Sequence, residues 1–392
     1  MNQNKDTSSS HNSTDALQEL EHKLNQLDKE IGELYWNVDS NGKWGFVDDR
    51  GCVKIPCKWV TIRHFKEGLA GVMDSNGNWG FIDKSGGLII PCKWGFVSDF
   101  DEGLSSFIEN GKYGYINKLG HIVIPCKWKI TTRFCEGLAI VRDDNDKLGF
   151  IDKSGELVIP CQWDDGWYFS EGLAAVKDFN GKYGFIDKKG NVVIPCKWEY
   201  ASWFKEGLTW VKNSNHKFVL IDMTGRIISQ YQWDSAGGFN DGLALIMNSS
   251  QKWGFVDKSG RVVIPCRWKS AEDFSDGLSR VKDINGKYGF INKTGCLVIP
   301  CQWEEAFDFF DGCAEVISSN GKHLIIDKAG NVISDGTDYV VTDTEKKIDR
   351  CLNDDNGYYE DEDYNRNTWD AMTDGMYGDM PDGFDDDYDF LG

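Results

Sequence analysis

A Trp/Tyr-Gly pair that returns at a nearly fixed interval constrains this chain more than any other feature. Its glycine stands at Gly45, Gly80, Gly114, Gly149 (where Leu148 takes the aromatic's place), Gly184, Gly254 and Gly289, in steps of 35, 34, 35, 35, 70 and 35 residues. The step of 70 contains one degenerate copy around Val219, and a ninth, degraded copy follows at Leu324. The stretch from Lys182 to Lys212, KYGFIDKKGNVVIPCKWEYASWFKEGLTWVK, stands for nearly everything between residues 42 and 334. Such a period means a repeat array. One unit cannot bury its own apolar faces, so neighbouring copies must complete the core.

The residues of one copy predict a three-stranded meander. Leu173–Lys177 is its first strand, and Asn180-Gly181 supplies the positive φ of a tight hairpin. Lys182–Asp187 is the second strand. The turn Asp187-Lys188-Lys189-Gly190 pairs a backbone-bonding aspartate with a left-handed glycine. Asn191–Ile194 is the third strand, ended by Pro195, which has no N–H to give a ladder. A glycine inside a strand is costly, so an aromatic ring is expected over Gly184 and its equivalents. The series Trp59, Trp94, Trp128, Trp163, Trp198, Trp233, Trp268 and Trp303 is the candidate.

This wording resembles the bacterial WG-repeat family: a Trp/Tyr-Gly-Phe-Ile-Asp strand, a glycine turn, then Val-Ile-Pro and a short Glu-Gly-Leu return. The match covers about three quarters of the chain over nine copies. The resemblance implies an interaction or scaffold module and brings no catalytic residues with it. The expected fold is all-β, with repeats of about 35 residues stacked as an open solenoid and the decayed copy Lys322–Ser334 as its cap. A closed propeller-like ring is the alternative.

Four segments are expected: 1–14 disordered, 15–36 a heptad helix, 37–334 the array, and 335–392 an acidic aromatic tail, mostly disordered. Leu17, Leu20, Leu24, Leu27, Ile31 and Leu34 are spaced 3, 4, 3, 4, 3 behind a candidate cap at Asp15. This seam either pairs two chains into a homo-oligomer or folds back over the open end of the first copy. The net charge of −20 sits in the ends. Residues 336–392 carry −14, residues 1–36 carry −4, and the array keeps −2. The near-neutral body shows no evident basic face, so nucleic acid is not an expected partner. The twelve cysteines lie in a long chain whose first residues lack an apolar signal core, and no run of 18 apolar residues occurs. A reducing, cytoplasmic setting without membrane insertion is therefore expected.

The candidate sites are sorted by repeat position. Cys57, Cys92, Cys126, Cys161, Cys196, Cys266 and Cys301 follow the proline without Cys-x-x-Cys or recurrent histidine spacing. They read as small packing residues, and no metal or cofactor is expected. Lys188 and its equivalents read as a solvated turn face, and the acidic-Gly steps at Glu67, Glu102, Glu136, Glu171, Glu206, Asp241, Asp276 and Asp311 as acceptors of turn N–H groups. The segment after each Trp differs most between copies. Varied loops on a fixed frame carry binding, so Trp167, Tyr168, Trp203, Phe96 and Phe307 are the candidate binding residues. In the tail, Trp369, Met372, Tyr377, Phe384, Tyr388 and Phe390 alternate with acid as in a docking motif. The six histidines share no repeat position, and no nucleophile elbow, phosphate loop or His-Glu-x-x-His occurs. The expected function is a non-enzymatic scaffold for unidentified protein partners. A glycan-binding array of aromatic platforms is the alternative.

Overall fold

The structure is a computed structural model, and it describes residues 7–334. These form one helix, Thr7–Ile31, and nine antiparallel sheets of three or four strands, one sheet per copy. They fall into two compact units: residues up to 251 with 255–262, and residues 252–254 with 263 onward.

The fifth copy shows how the repeat sequence becomes a sheet. Its strands are Asp165–Gly166, Leu173–Lys177, Tyr183–Asp187 and Val192–Trp198, in sequential order. The three-stranded expectation misses the first of these. The variable segment after the Trp contributes two residues that pair Asp165 with Lys177 and Gly166 with Val176. Both turns are of one kind. The loop expected as a two-residue Asn-Gly hairpin is a longer Asp-x-x-Gly turn: Asp178 Oδ1 accepts from the N–H groups of Asn180 and Lys182, at 2.9 and 3.0 Å. Asp187 Oδ1 does the same for Lys189 and Asn191, both at 2.9 Å. In each turn the left-handed residue is glycine, Gly181 at φ 74° and Gly190 at φ 82°.

The last strand does not stop at Pro195. Phe185 pairs with Ile194, but Tyr183 pairs with Trp198, so two steps on one strand face four on the other. The intervening residues, Pro195-Cys196-Lys197, face Gly184 alone and form a bulge. Proline is tolerated because this is the edge strand of its sheet, where the missing N–H breaks no ladder on the outer side. The bulge also explains the repeated glycine. A Cβ on Gly184 would lie 2.6 Å from the Ile194 carbonyl oxygen and 2.7 Å from the Cys196 nitrogen. The expected tryptophan ring is not what occupies the space; bulged backbone does. The two copies without the glycine support this pairing of features. Where Val219 replaces it, Gln230-Tyr231 replace Pro-Cys, Ile228 N–H bonds Leu220 O at 2.8 Å, and no regular last strand forms in that sheet, although Phe218 and Trp233 still pair. Where Leu324 replaces it, Ser334-Asp335 stand in place of Ile-Pro.

Copies meet through the apolar faces, as the two-faced strands require. Gly190 of the fifth copy lies against Ile159 of the fourth, and Gly155 of the fourth against Ile124 of the third. A core cluster of the first unit takes Leu138, Phe150 and Ile159 from one copy and Phe169, Val176 and Ile186 from the next.

The helix departs from its expected bounds. It starts at Thr7, so residues 7–14 are helical and Asp15 is interior rather than a cap; nothing in the structure explains the extension through the serines. It stops at Ile31 because Gly32 takes φ 72° and bonds Asp28 O, leaving Tyr35–Val38 free to start the first sheet. Its apolar seam is turned onto the chain's own sheets. Leu24 is 2% exposed and packs with Leu69, Phe81 and Phe100. Lys23 pairs with buried Asp83 at 2.8 Å. Among the described residues no helix is long and apolar enough to cross a membrane.

Candidate functional site

Each variable segment is held by a corner that repeats from copy to copy. In the fifth copy the corner is Phe169-Ser170-Glu171-Gly172. Phe169 is buried against Phe150 of the preceding copy, with ring centroids 5.0 Å apart. The same contact recurs as Phe46–Phe65, Phe81–Phe100, Tyr115–Phe134, Phe185–Phe204 and Phe290–Phe309, at 4.7 to 4.9 Å. Sequence reasoning passes over this phenylalanine, although its period was there to find. The acidic residue that follows has positive φ, 53° at Glu171, and precedes a left-handed glycine.

The acidic corners do accept N–H groups, but from the next copy rather than their own turn. Glu67 accepts from Gly103 N, Glu102 from Gly137 N and Glu136 from Gly172 N, at 3.0 to 3.1 Å. Glu171 accepts from Glu206 N and Gly207 N, and Asp276 from Gly312 N. The same carboxylates take the turn lysine of the next copy: Lys118–Glu67 and Lys153–Glu102 at 2.9 Å, Lys188–Glu136 at 3.0 Å, and Lys258–Glu206. The turn lysines are thus not a free solvated face; they and the corners form one ladder between copies. Burial raises the Glu102 carboxyl, but the Lys153 ammonium and the Gly137 N–H outweigh it and hold the group below the usual carboxylate range. Lys84 belongs to the first such turn whose corner partner would precede the array, and the helix supplies it. Lys84 Nζ reaches Asp28 at 2.7 Å and Gly32 O at 2.7 Å.

Just before the corner phenylalanine lie two residues whose chemistry changes from copy to copy. The second of the two reads His64, Asp99, Arg133, Tyr168, Trp203 and Gly238 along the first unit. Three of these stack in order. The Arg133 guanidinium lies 5.2 Å over Tyr168, and Tyr168 stacks on Trp203 at 6.1 Å. Trp167 meets Trp203 edge-on at 6.3 Å and donates its indole N–H to Ala201 O at 3.0 Å. Trp167, Tyr168 and Trp203 therefore form one half-buried cluster over neighbouring copies. At its foot Arg142 holds Asp165 at 2.7 Å, and Tyr183 O–H donates to the same carboxylate at 3.0 Å. Burial, then the Asp165 charge, push the Tyr183 phenol well above its ordinary value.

Phe96 lies apart from this cluster. It occupies a different repeat position, edge-on to Tyr113 at 6.2 Å with the Arg63 guanidinium 5.7 Å over it. Phe307 belongs to the second unit and is 49% exposed. It lines a cavity of about 190 Å³ with Arg280, Lys282, Tyr288, Glu304 and Glu305. Arg280 there reaches Asp308 at 3.2 Å and Glu272 at 3.5 Å, and burial pushes the Glu272 carboxyl up. The tail candidates Trp369, Met372, Tyr377, Phe384, Tyr388 and Phe390 lie outside the described residues.

The cysteine after each proline lies at the bulge, with Cys196 Sγ 2.8 Å from where a Gly184 Cβ would be. Burial pushes the thiols of Cys92, Cys126, Cys161 and Cys196 up, and that of Cys301 up to about 11. Among the described residues no group of three or more His, Cys, Asp or Glu is placed to hold a metal. Because the thiolate is the reactive form, iodoacetamide at pH 8 should label exposed Cys52 and Cys296 at least about tenfold faster than Cys301. Comparable rates by peptide mass mapping would show that the bulge opens.

The comparison with known families decides what these copies are. Eight segments, 44–78, 79–113, 113–147, 149–183, 183–215, 220–249, 253–288 and 288–322, match the WG containing repeat. The chain belongs to the WG-repeat family. No curated protein matches it. Solved structures similar to this WG-repeat chain include a eukaryotic initiation factor (12% identity, 67% of this chain and 81% of that one, TM-score 0.43). BamB from Moraxella catarrhalis (10%, 68% and 95%, 0.34) and the computationally designed Ika8 protein (10%, 67% and 93%, 0.34) are others. At these scores the likenesses carry no argument about this WG-repeat protein's function.

Proposed function

We propose that the chain is a non-enzymatic, cytoplasmic scaffold that binds protein partners along the variable row of its WG repeats. One observation carries this reading. The corner phenylalanine and the acidic-Gly step are constant, while the residue held between them runs from His64 through Asp99, Arg133 and Tyr168 to Trp203. A fixed frame that presents a different side chain at each step suits recognition of an extended partner by several weak contacts. The half-exposed aromatics of the Arg133–Tyr168–Trp203 stack are the residue types that dominate interface energetics. The acidic tail, outside the described residues, is read as a second docking element.

The test is affinity capture from native lysate with the full chain and with its Arg133→Glu/Tyr168→Ala variant. Distinct proteins should enrich with the first and fall at least about tenfold with the second, while both keep the same circular dichroism spectrum. Equal enrichment would remove the row from the function. The Tyr168–Trp203 pair also supports a second reading, a glycan platform. That reading requires the tryptophan fluorescence of the full chain to respond to polysaccharide.

A further inference from the structure

The bulged edge strand carries a second repeated surface, distinct from the variable row. In the fifth copy Val192 and Val193 are 51% and 43% exposed, followed by exposed Pro195 and Lys197. Ile122, Val123 and Lys127 repeat the arrangement in the third copy. The ammonium group in each case lies over the indole of the next residue. The distances to the ring are 4.7 Å for Lys58 on Trp59, 4.4 Å for Lys93 on Trp94, and 4.7 Å for both Lys127 on Trp128 and Lys197 on Trp198. Other lysines of the array are engaged by carboxylates, as in the corner ladder. Among the described residues these four have no acidic partner. The first unit therefore presents a recurring surface of exposed aliphatic side chains beside unpaired cations held in place by an indole face.

One segment of this chain has the complementary chemistry with a period of its own. Residues 336–392 carry −14, and Met372, Met376, Met380, Phe384 and Tyr388 recur at every fourth position, with acid between them. A run of acid with regular apolar anchors can meet aliphatic pairs and unpaired ammonium groups copy after copy, each contact weak and the sum held by multivalency. The 58 residues beyond Ser334 supply ample contour length. We propose that the acidic segment 366–392 docks on the Val/Ile–Pro–Lys edge strands of its own chain. This inference rests on the reading of the tail as a docking segment and names the surface it takes. A partner with a stronger acidic anchor would then have to displace the tail.

Zero-length carbodiimide coupling of the full chain tests this directly, because the four lysines have no carboxylate neighbour in the array to couple with. Monomeric product should contain amide links from Asp374–Asp389 to Lys58, Lys93, Lys127 or Lys197. These should exceed links to exposed Lys29 and Lys269 several-fold and disappear at high salt. Replacing Asp382, Asp385, Asp386, Asp387 and Asp389 by Asn, which leaves the array's sequence untouched, should abolish them. Links spread evenly over all exposed lysines, links only in dimeric product, or links unaffected by the Asn replacements would each overturn self-docking. Capture of other proteins by the full chain tests the tail as a docking segment separately, so the two failures can be told apart.

Discussion

Replacing Gly184 by valine is expected to cost at least about 3 kcal/mol, the range of severe overpacking. The first added carbon would sit 2.6 Å from a carbonyl oxygen and 2.7 Å from a backbone nitrogen, and neither belongs to a flexible side chain that could move aside. Relief requires unmaking the Pro195-Cys196-Lys197 bulge, which would displace Trp198 from the core it shares with Tyr183, Phe185 and Ile194. Because a repeat array is stabilised mainly by neighbour contacts, the loss should reach the fourth and sixth copies and bring an early transition in thermal or urea unfolding. Gly95→Ala is the control: its Cβ would meet nothing within 4 Å and its φ is not positive, so the melting curve should be unchanged. Unaltered melting of Gly184→Val would show that the bulge is not rigid. A stronger check transfers the chain's own solution. Gly184→Val combined with Pro195→Gln and Cys196→Tyr imitates the copy built around Val219, and it should recover part of the loss.

The sequence was most legible where a single residue has a single physical use. The turns could be placed because Asp and Gly recur at fixed offsets, and the core could be placed because apolar residues recur with the copy. Pro195 misled because its missing N–H is fatal only between two neighbours, and strand order is not visible in one copy's residues. The strand Asp165–Gly166 was hidden for another reason. It is two residues long, and its side chains vary with the variable row, so it has no pattern of its own. The ladder from Glu136 to Gly172 and Lys188 needed the relative placement of two copies. Each residue alone reads as a solvated turn. In the candidate site, Trp167, Tyr168 and Trp203 could be picked as aromatics in a variable segment. That Phe96 stands apart follows from its offset after Trp94, two residues rather than four or five, which the sequence already contained.

Acid should unfold the array well before it would unfold a protein whose carboxylates are unperturbed. The Asp-x-x-Gly turns close on ionised carboxylates. At Asp187 the side chain and N–H of Asn191 and the N–H of Lys189 hold the carboxyl below its ordinary value of 3.8. At Asp222 the Thr224 hydroxyl leads and, with the N–H groups of Arg226 and Thr224, outweighs the burial penalty and brings the group to about 2. Asp39, Asp48, Asp178, Asp257, Asp283 and Asp327 shift the same way. A carboxyl lowered in the folded state leaves the unfolded chain as the better proton acceptor. Its contribution is complete above the unfolded value and is lost as pH falls through the folded one. The urea midpoint should therefore hold from neutrality to about pH 4 and fall steeply between about pH 4 and pH 2, the loss accumulating over many turns. The chain contains the control. Asn117 closes an equivalent turn with an uncharged oxygen, accepting from the N–H groups of Leu119 and His121 at 3.1 and 3.0 Å. Asp→Asn replacement at 187, 222, 257 and 327 should preserve the turns, lower stability modestly at pH 7 and flatten the acid limb. If that limb is equally steep in the variant, the turn carboxylates are not what acid attacks, and the Glu102-type carboxylates of the corner ladder become the titrating groups.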